Sequence, residues 1–167
     1  IGTKRQASDI IERYAVDCKQ FFINKRWLGG MLTNWDTIQN SIKKLKELEE
    51  ILLNKSNSYT KKELLMFENS VEKLNKALGG IKNMSGKPDL LFIIDTNKEV
   101  LAVKEANKIG IPIVAVVDSN SNPEGIDHPI PGNDDAIRSI EYYCSAVSVA
   151  IKNAKNENEQ EKLESKS

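Results

Sequence analysis

Apolar positions along this chain follow two different periods, and the switch between them lays out its elements. Ala7, Ile10, Ile11, Tyr14 and Ala15 recur at helical spacing behind Thr3 and Gln6, which stand in capping-box spacing. The opening IGTKRQASDIIERYAVDC therefore reads as the end of a strand turning into a helix. QFFIN, Gln20 to Asn24, reads as a short strand. Met31, Trp35, Ile38, Ile42, Leu45 and Leu52 then take alternating steps of four and three, with Glu49 alone interrupting the seam, so a long amphipathic helix is expected. NKSNSY, Asn54 to Tyr59, is a polar break. Beyond it Thr60 and Glu63 form a second capping box, and Leu64, Phe67, Val71, Leu74, Leu78 and Ile81 repeat the stepped pattern. Two such helices on so short a connection must run antiparallel, each about 30 Å long at 1.5 Å per residue, which predicts a projecting coiled hairpin.

After residue 84 the period changes. LLFII (Leu90 to Ile94) and IVAVV (Ile113 to Val117) are unbroken apolar runs, as buried parallel strands require. Lys98 to Ile109 between them reads as a helix ending at Gly110, completing a βαβ unit. DSNSNPEG reads as a loop and HPIPG as a short extended passage. Asn133 or Asp134 would cap a last helix carrying Ile137, Ile140, Cys144, Val147 and Ile151 on one face. The expected fold is α/β, a Rossmann-like (flavodoxin-like) parallel sheet with an inserted antiparallel coiled-coil helical hairpin. Its α/β domain would comprise 1–30 and 84–153, the hairpin 31–83, and a flexible polar tail 154–167.

Composition alters this picture little, but the placement of charge matters. The 167 residues carry 24 basic and 24 acidic side chains, so no global charge draws the chain to a polyanion. Residues 1–46, however, hold nine Lys or Arg against four Asp or Glu. Cys18 and Cys144 lie far apart without metal spacing and read as reduced core thiols of a cytosolic protein. No apolar run approaches the roughly 20 residues that cross a bilayer. The chain opens on Ile1 rather than Met, so a preceding segment is expected.

Chemistry has few places to reside. Lys4 and Arg5 oppose the dipole at the start of the first helix; they read either as solvated surface residues or as the partners of a bound phosphate. NKRWLGGMLTNW, Asn24 to Trp35, gathers both tryptophans, the pair Gly29 and Gly30, and Lys25 and Arg26. It contains no G-x-G-x-x-G or Walker pattern, and the glycines read as a sharp turn into the long helix. Trp35 reads as packed at the hairpin base, whereas Trp27 suits either packing or stacking on an unpaired base. Asp95 and Asp118 end the two buried strands, where α/β enzymes place their sites, but acids there also cap helices and close turns. The only histidine, His128, sits in a loop without a nucleophile beside it.

GTKRQA, NKRWLGGMLTNW, LGGIKNM, PDLLFIIDTN and KEANKIGIPIVAVVDSNSNPEGIDHPIPGNDDAIRSI, in that order, resemble the family of small ribosomal subunit protein two of the bacterial type. The resemblance runs from Ile1 to about Ile151 and implies a structural constituent of the small subunit, with no catalysis and no cofactor. It implies partners in small-subunit rRNA and neighbouring ribosomal proteins, ribosomal protein one among them, on a cytoplasmic or organellar ribosome. It also implies that the family's N-terminal segment lies outside this sequence. Candidate rRNA contacts are Lys4, Arg5, Lys25, Arg26, Trp27, Lys43, Lys44 and Lys46. The competing readings are a phosphate- or nucleotide-binding α/β domain using the crevice near Asp95 and Asp118 with a divalent ion, and a protein-binding hairpin on a sheet with no nucleic-acid role.

Overall fold

A computed structural model of the chain describes residues 1–54 and 58–164. Five α-helices are described, α1 (Arg5–Asp17), α2 (Trp35–Asn54), α3 (Lys61–Leu78), α4 (Val100–Ile109) and α5 (Ile137–Glu164). Three strands, β1 (Leu91–Ile94), β2 (Ile113–Val117) and β3 (His128–Pro131), form one sheet in the order β1-β2-β3. Both pairings are parallel. This is an α/β architecture whose sheet fits a Rossmann-like layout.

The strands are apolar on both sides because each side is covered. Leu91, Ile93, Ile113 and Ala115 point into one cluster with Ala102 and Ala106 of α4, whereas Ile94 and Val116 point into another with Ala7, Ile10 and Ile11 of α1 and Ile140 and Cys144 of α5. Alternation along each strand thus feeds two cores. β3 carries Pro129 and Pro131, which lack the N–H that a central strand would need, and accordingly occupies an edge. On the other edge, Ile94 N–H donates to Ile1 O at 2.9 Å, so the chain's first residue extends the ladder before turning into α1, as the opening pattern predicts.

α2 and α3 pack against each other, and the first cluster takes in Trp35, Ile38, Ile42 and Leu78, so their base is continuous with the sheet's core. The Thr60–Glu63 capping box is present in both of its bonds. Glu49, the interruption in the apolar seam, is half-buried and bonded to Asn75 Nδ2 at 3.1 Å and to Lys82. Residues 55–57 of the polar break lie outside the described residues.

The structure departs from the pattern in four places. Gln20–Asn24 is extended but not a strand: its backbone bonds are isolated ones, Gln20 N–H to Ala15 O, Gly2 N–H to Ile23 O and Phe22 N–H to Gly80 O. The Thr3–Gln6 capping box does not form, because the Thr3 N–H and hydroxyl both donate to Glu99 and the N-cap position falls to Lys4. Ile137 is exposed, so the buried face of α5 begins at Ile140. The end of the chain is helical through Glu164, past the residue 154 at which a tail is expected. Lys152 bonds Asp17, Lys155 bonds Cys18 O, and the Glu-rich sequence that follows, with Glu at four of residues 156–164, favours helix by intrinsic propensity.

Candidate nucleic-acid interface

Residues 24–34 join α1's neighbourhood to α2 without regular structure, which leaves their backbone groups to be satisfied individually. One side chain satisfies three of the N–H groups at once. Glu105 of α4 accepts from Trp27 Nε1 (3.1 Å), Gly30 N (2.7 Å), Leu32 N (3.0 Å), Thr33 N (3.0 Å) and Thr33 Oγ1 (3.0 Å). Burial alone would raise the pKa of this carboxyl group; the three backbone donors and the Trp27 indole outweigh it and hold the group at about 2. The amides ahead of α2 therefore form an anion nest whose anion is supplied by the protein itself. That excludes an external phosphate from the Gly29–Gly30 turn. Gly30 sits at φ +88°, a conformation costly for any side chain, which accounts for the second glycine of the pair.

The elbow has a second anchor. Asn24 is buried and donates from Nδ2 to Ser8 O (3.2 Å) and Glu12 Oε2 (2.8 Å) of α1. Lys25 and Arg26 lie between the anchors and are exposed, Lys25 donating to Ser8 Oγ at 3.2 Å and pairing loosely with Asp9 at 4.0 Å. Arg5 is exposed in the first turn of α1, and Lys43, Lys44 and Lys46 are exposed on α2. Two candidate contacts are placed differently. Trp27 is buried with its indole N–H committed to Glu105, so its face is packed rather than offered to a base. Lys4 is drawn inward by Asp95 (3.3 Å), Asp134 (2.9 Å) and Asp135, with only 16% of its side chain exposed. Trp35 is buried, as packing at the base of α2 requires.

The same ion pairs account for the crevice at the carboxyl ends of β1 and β2. Asp95 Oδ1 accepts from Lys98 N at 3.0 Å and Asp118 Oδ1 from Ser119 N at 2.6 Å, so both acids serve the local backbone. Desolvation raises the Asp134 carboxyl pKa, whereas burial would lower that of the Lys4 ammonium but is outweighed by bonds to Asp135 and Asp134. Carboxylates of Asp118, Asp134 and Asp135 converge around this cation. Such a site offers an incoming phosphate more negative charge than donors. His128 is exposed at the start of β3.

Neither Glu105 nor Asn24 stands out by sequence pattern. The one available signal for Glu105 is an acid on the apolar face of a helix, beside Ala106 and three residues after Ala102.

Comparison with known proteins bears on the same residues. The family model described as Ribosomal protein S2 matches residues 1–154, a span that takes in the sheet, the elbow and both α2 and α3. The chain belongs to the ribosomal protein S2 family. Curated relatives within it are named small ribosomal subunit protein uS2: that of Ehrlichia chaffeensis is 62% identical over 151 residues, covering 90% of this chain and 52% of the relative. Those of Acidiphilium cryptum and Paramagnetospirillum magneticum are each 60% identical, over 90% of this chain and 59% and 57% of their own lengths. This S2-family chain thus spans about half the length of the curated relatives it matches.

Proposed function

We propose that the chain is a non-enzymatic structural constituent of the small ribosomal subunit, at work on the ribosome in the cytoplasm, and that it holds rRNA through phosphate contacts rather than base reading. The observation that carries this reading is the family match across residues 1–154, with relatives named small ribosomal subunit protein uS2 at about 60% identity. The contacts proposed are Arg5, Lys25, Arg26, Lys43, Lys44 and Lys46, whose side chains are exposed. Lys4 and Trp27 drop out of the set because their polar groups are bonded within the protein. α2 and α3 would form an antiparallel coiled hairpin inserted into the α/β body and reaching neighbouring ribosomal proteins, ribosomal protein one among the candidates. No cofactor, membrane or small-molecule substrate enters this function.

Co-sedimentation tests it directly. The full-length protein should be stoichiometric in purified small subunits, and its affinity for rRNA should fall steeply with salt. Replacing Lys25 and Arg26 together by alanine should lower the slope of log affinity against log salt by about 1.4–1.8, at roughly 0.7–0.9 for each phosphate no longer neutralised, about equally for unrelated RNA sequences. Salt-insensitive binding, or absence from the subunit, would overturn the proposal.

A further inference from the structure

Lys25 and Arg26 are the exposed pair in a stretch whose two neighbours are buried and bonded. Asn24 is fixed to α1 through Ser8 and Glu12, and Trp27 to α4 through Glu105. The segment between them has no helix or strand to hold it. Its conformation is therefore set by these side-chain anchors, and Glu105 carries the larger share because it also accepts from Gly30, Leu32 and Thr33.

We infer that Glu105 is the positioning residue of the phosphate-gripping corner: without touching RNA, its carboxylate fixes the elbow so that Lys25 and Arg26 are presented together. This rests on the reading of the chain as an rRNA-binding protein. Two long cationic side chains bind a polyanion best when the backbone that carries them is already ordered, since ordering it on binding costs conformational entropy. A glutamine at 105 keeps the shape but puts an NH2 group where one carboxylate oxygen accepts, either from Trp27 and Gly30 or from Leu32 and Thr33. Donors then face donors, and the nest opens. Alanine leaves the nest empty, and a small carboxylate such as formate can fill it.

The test is a double-mutant cycle in the full-length protein, read by RNA binding across a salt series. Variants are Glu105→Gln, Lys25→Ala with Arg26→Ala, and all three changes together. The expected result is a five- to tenfold loss of affinity for Glu105→Gln with a reduced salt slope, and non-additivity: once Glu105 is changed, removing the two cations costs far less than in the parent. Formate should restore the affinity of Glu105→Ala but not that of the Lys25, Arg26 variant. A purely structural role would lower the melting temperature without coupling to the cations. Additive losses with an unchanged slope would overturn the inference. If Glu105→Gln does not fold, Trp27→Phe, which removes a single donor to the carboxylate, carries the same cycle and the same criterion. If the parent itself binds RNA without salt dependence, or indifferently to Lys25 and Arg26, the underlying function fails first, and the two failures are distinguished.

Discussion

Single residues in this protein are defined by what they are bonded to rather than by type. Lys4 and Lys25 are both lysines in the basic first third, yet one is enclosed by three aspartates and the other projects from the elbow. Lys4→Gln should therefore leave the salt slope of RNA binding unchanged while lowering stability by about 1–3 kcal/mol, since it takes the bonded cation from the buried carboxylate of Asp134. Chemical denaturation beside the binding assay checks both halves. Glu105 gives a matching prediction in acid. Its pKa is depressed from 4.5 to about 2 on folding, so its contribution, about 3 kcal/mol, is complete above pH 4.5 and is lost as pH falls toward 2. Glu105→Gln should flatten the acid limb of the stability profile in that window and lower the melting temperature at neutral pH by roughly 6–12 °C, measurable by calorimetry.

At the scale of elements, local rules operate where the chain is on its own and yield where a distant partner is available. The Thr60–Glu63 capping box forms on an exposed helix end, where no competing acceptor stands among the described residues. Thr60→Ala should cost about 1 kcal/mol, seen as a lower urea midpoint with unchanged slope. Thr3 has the same spacing to Gln6, but Glu99 lies within reach and takes both of its donors. The stepped apolar positions of α2 and α3 are legible because a helix buries one stripe whatever it packs on. QFFIN reads as a strand yet is none, because β-rich composition registers burial, not a ladder partner. Its structural role lies at Phe22, whose carbonyl oxygen would stand 2.1 Å from a Cβ at Gly80 and whose N–H bonds Gly80 O. Gly80→Ala should consequently part this contact and destabilise the fold by about 1–3 kcal/mol, checked by thermal melting.

Over the whole molecule, a net charge of zero conceals a division of labour. Four acids, Asp95, Asp118, Asp134 and Asp135, gather at the carboxyl edge of the sheet, where they bind Lys4 and the turns, whereas the elbow, the first turn of α1 and α2 carry exposed bases, as α3, α4 and α5 also do. The order of residues is enough to set the alternation that feeds two cores, the parallel sheet, the helical pair, and the surplus of base in the first 46 residues. These follow from period and composition, which depend on near neighbours along the chain. It takes the folded chain to determine which bases are free, that Trp27 is packed, and that the anion in the glycine turn is Glu105, 75 residues from Gly30. Charge and hydrogen bonding act through space, and a carboxylate's partners are chosen by where the fold brings α4 against the elbow, which no local pattern encodes.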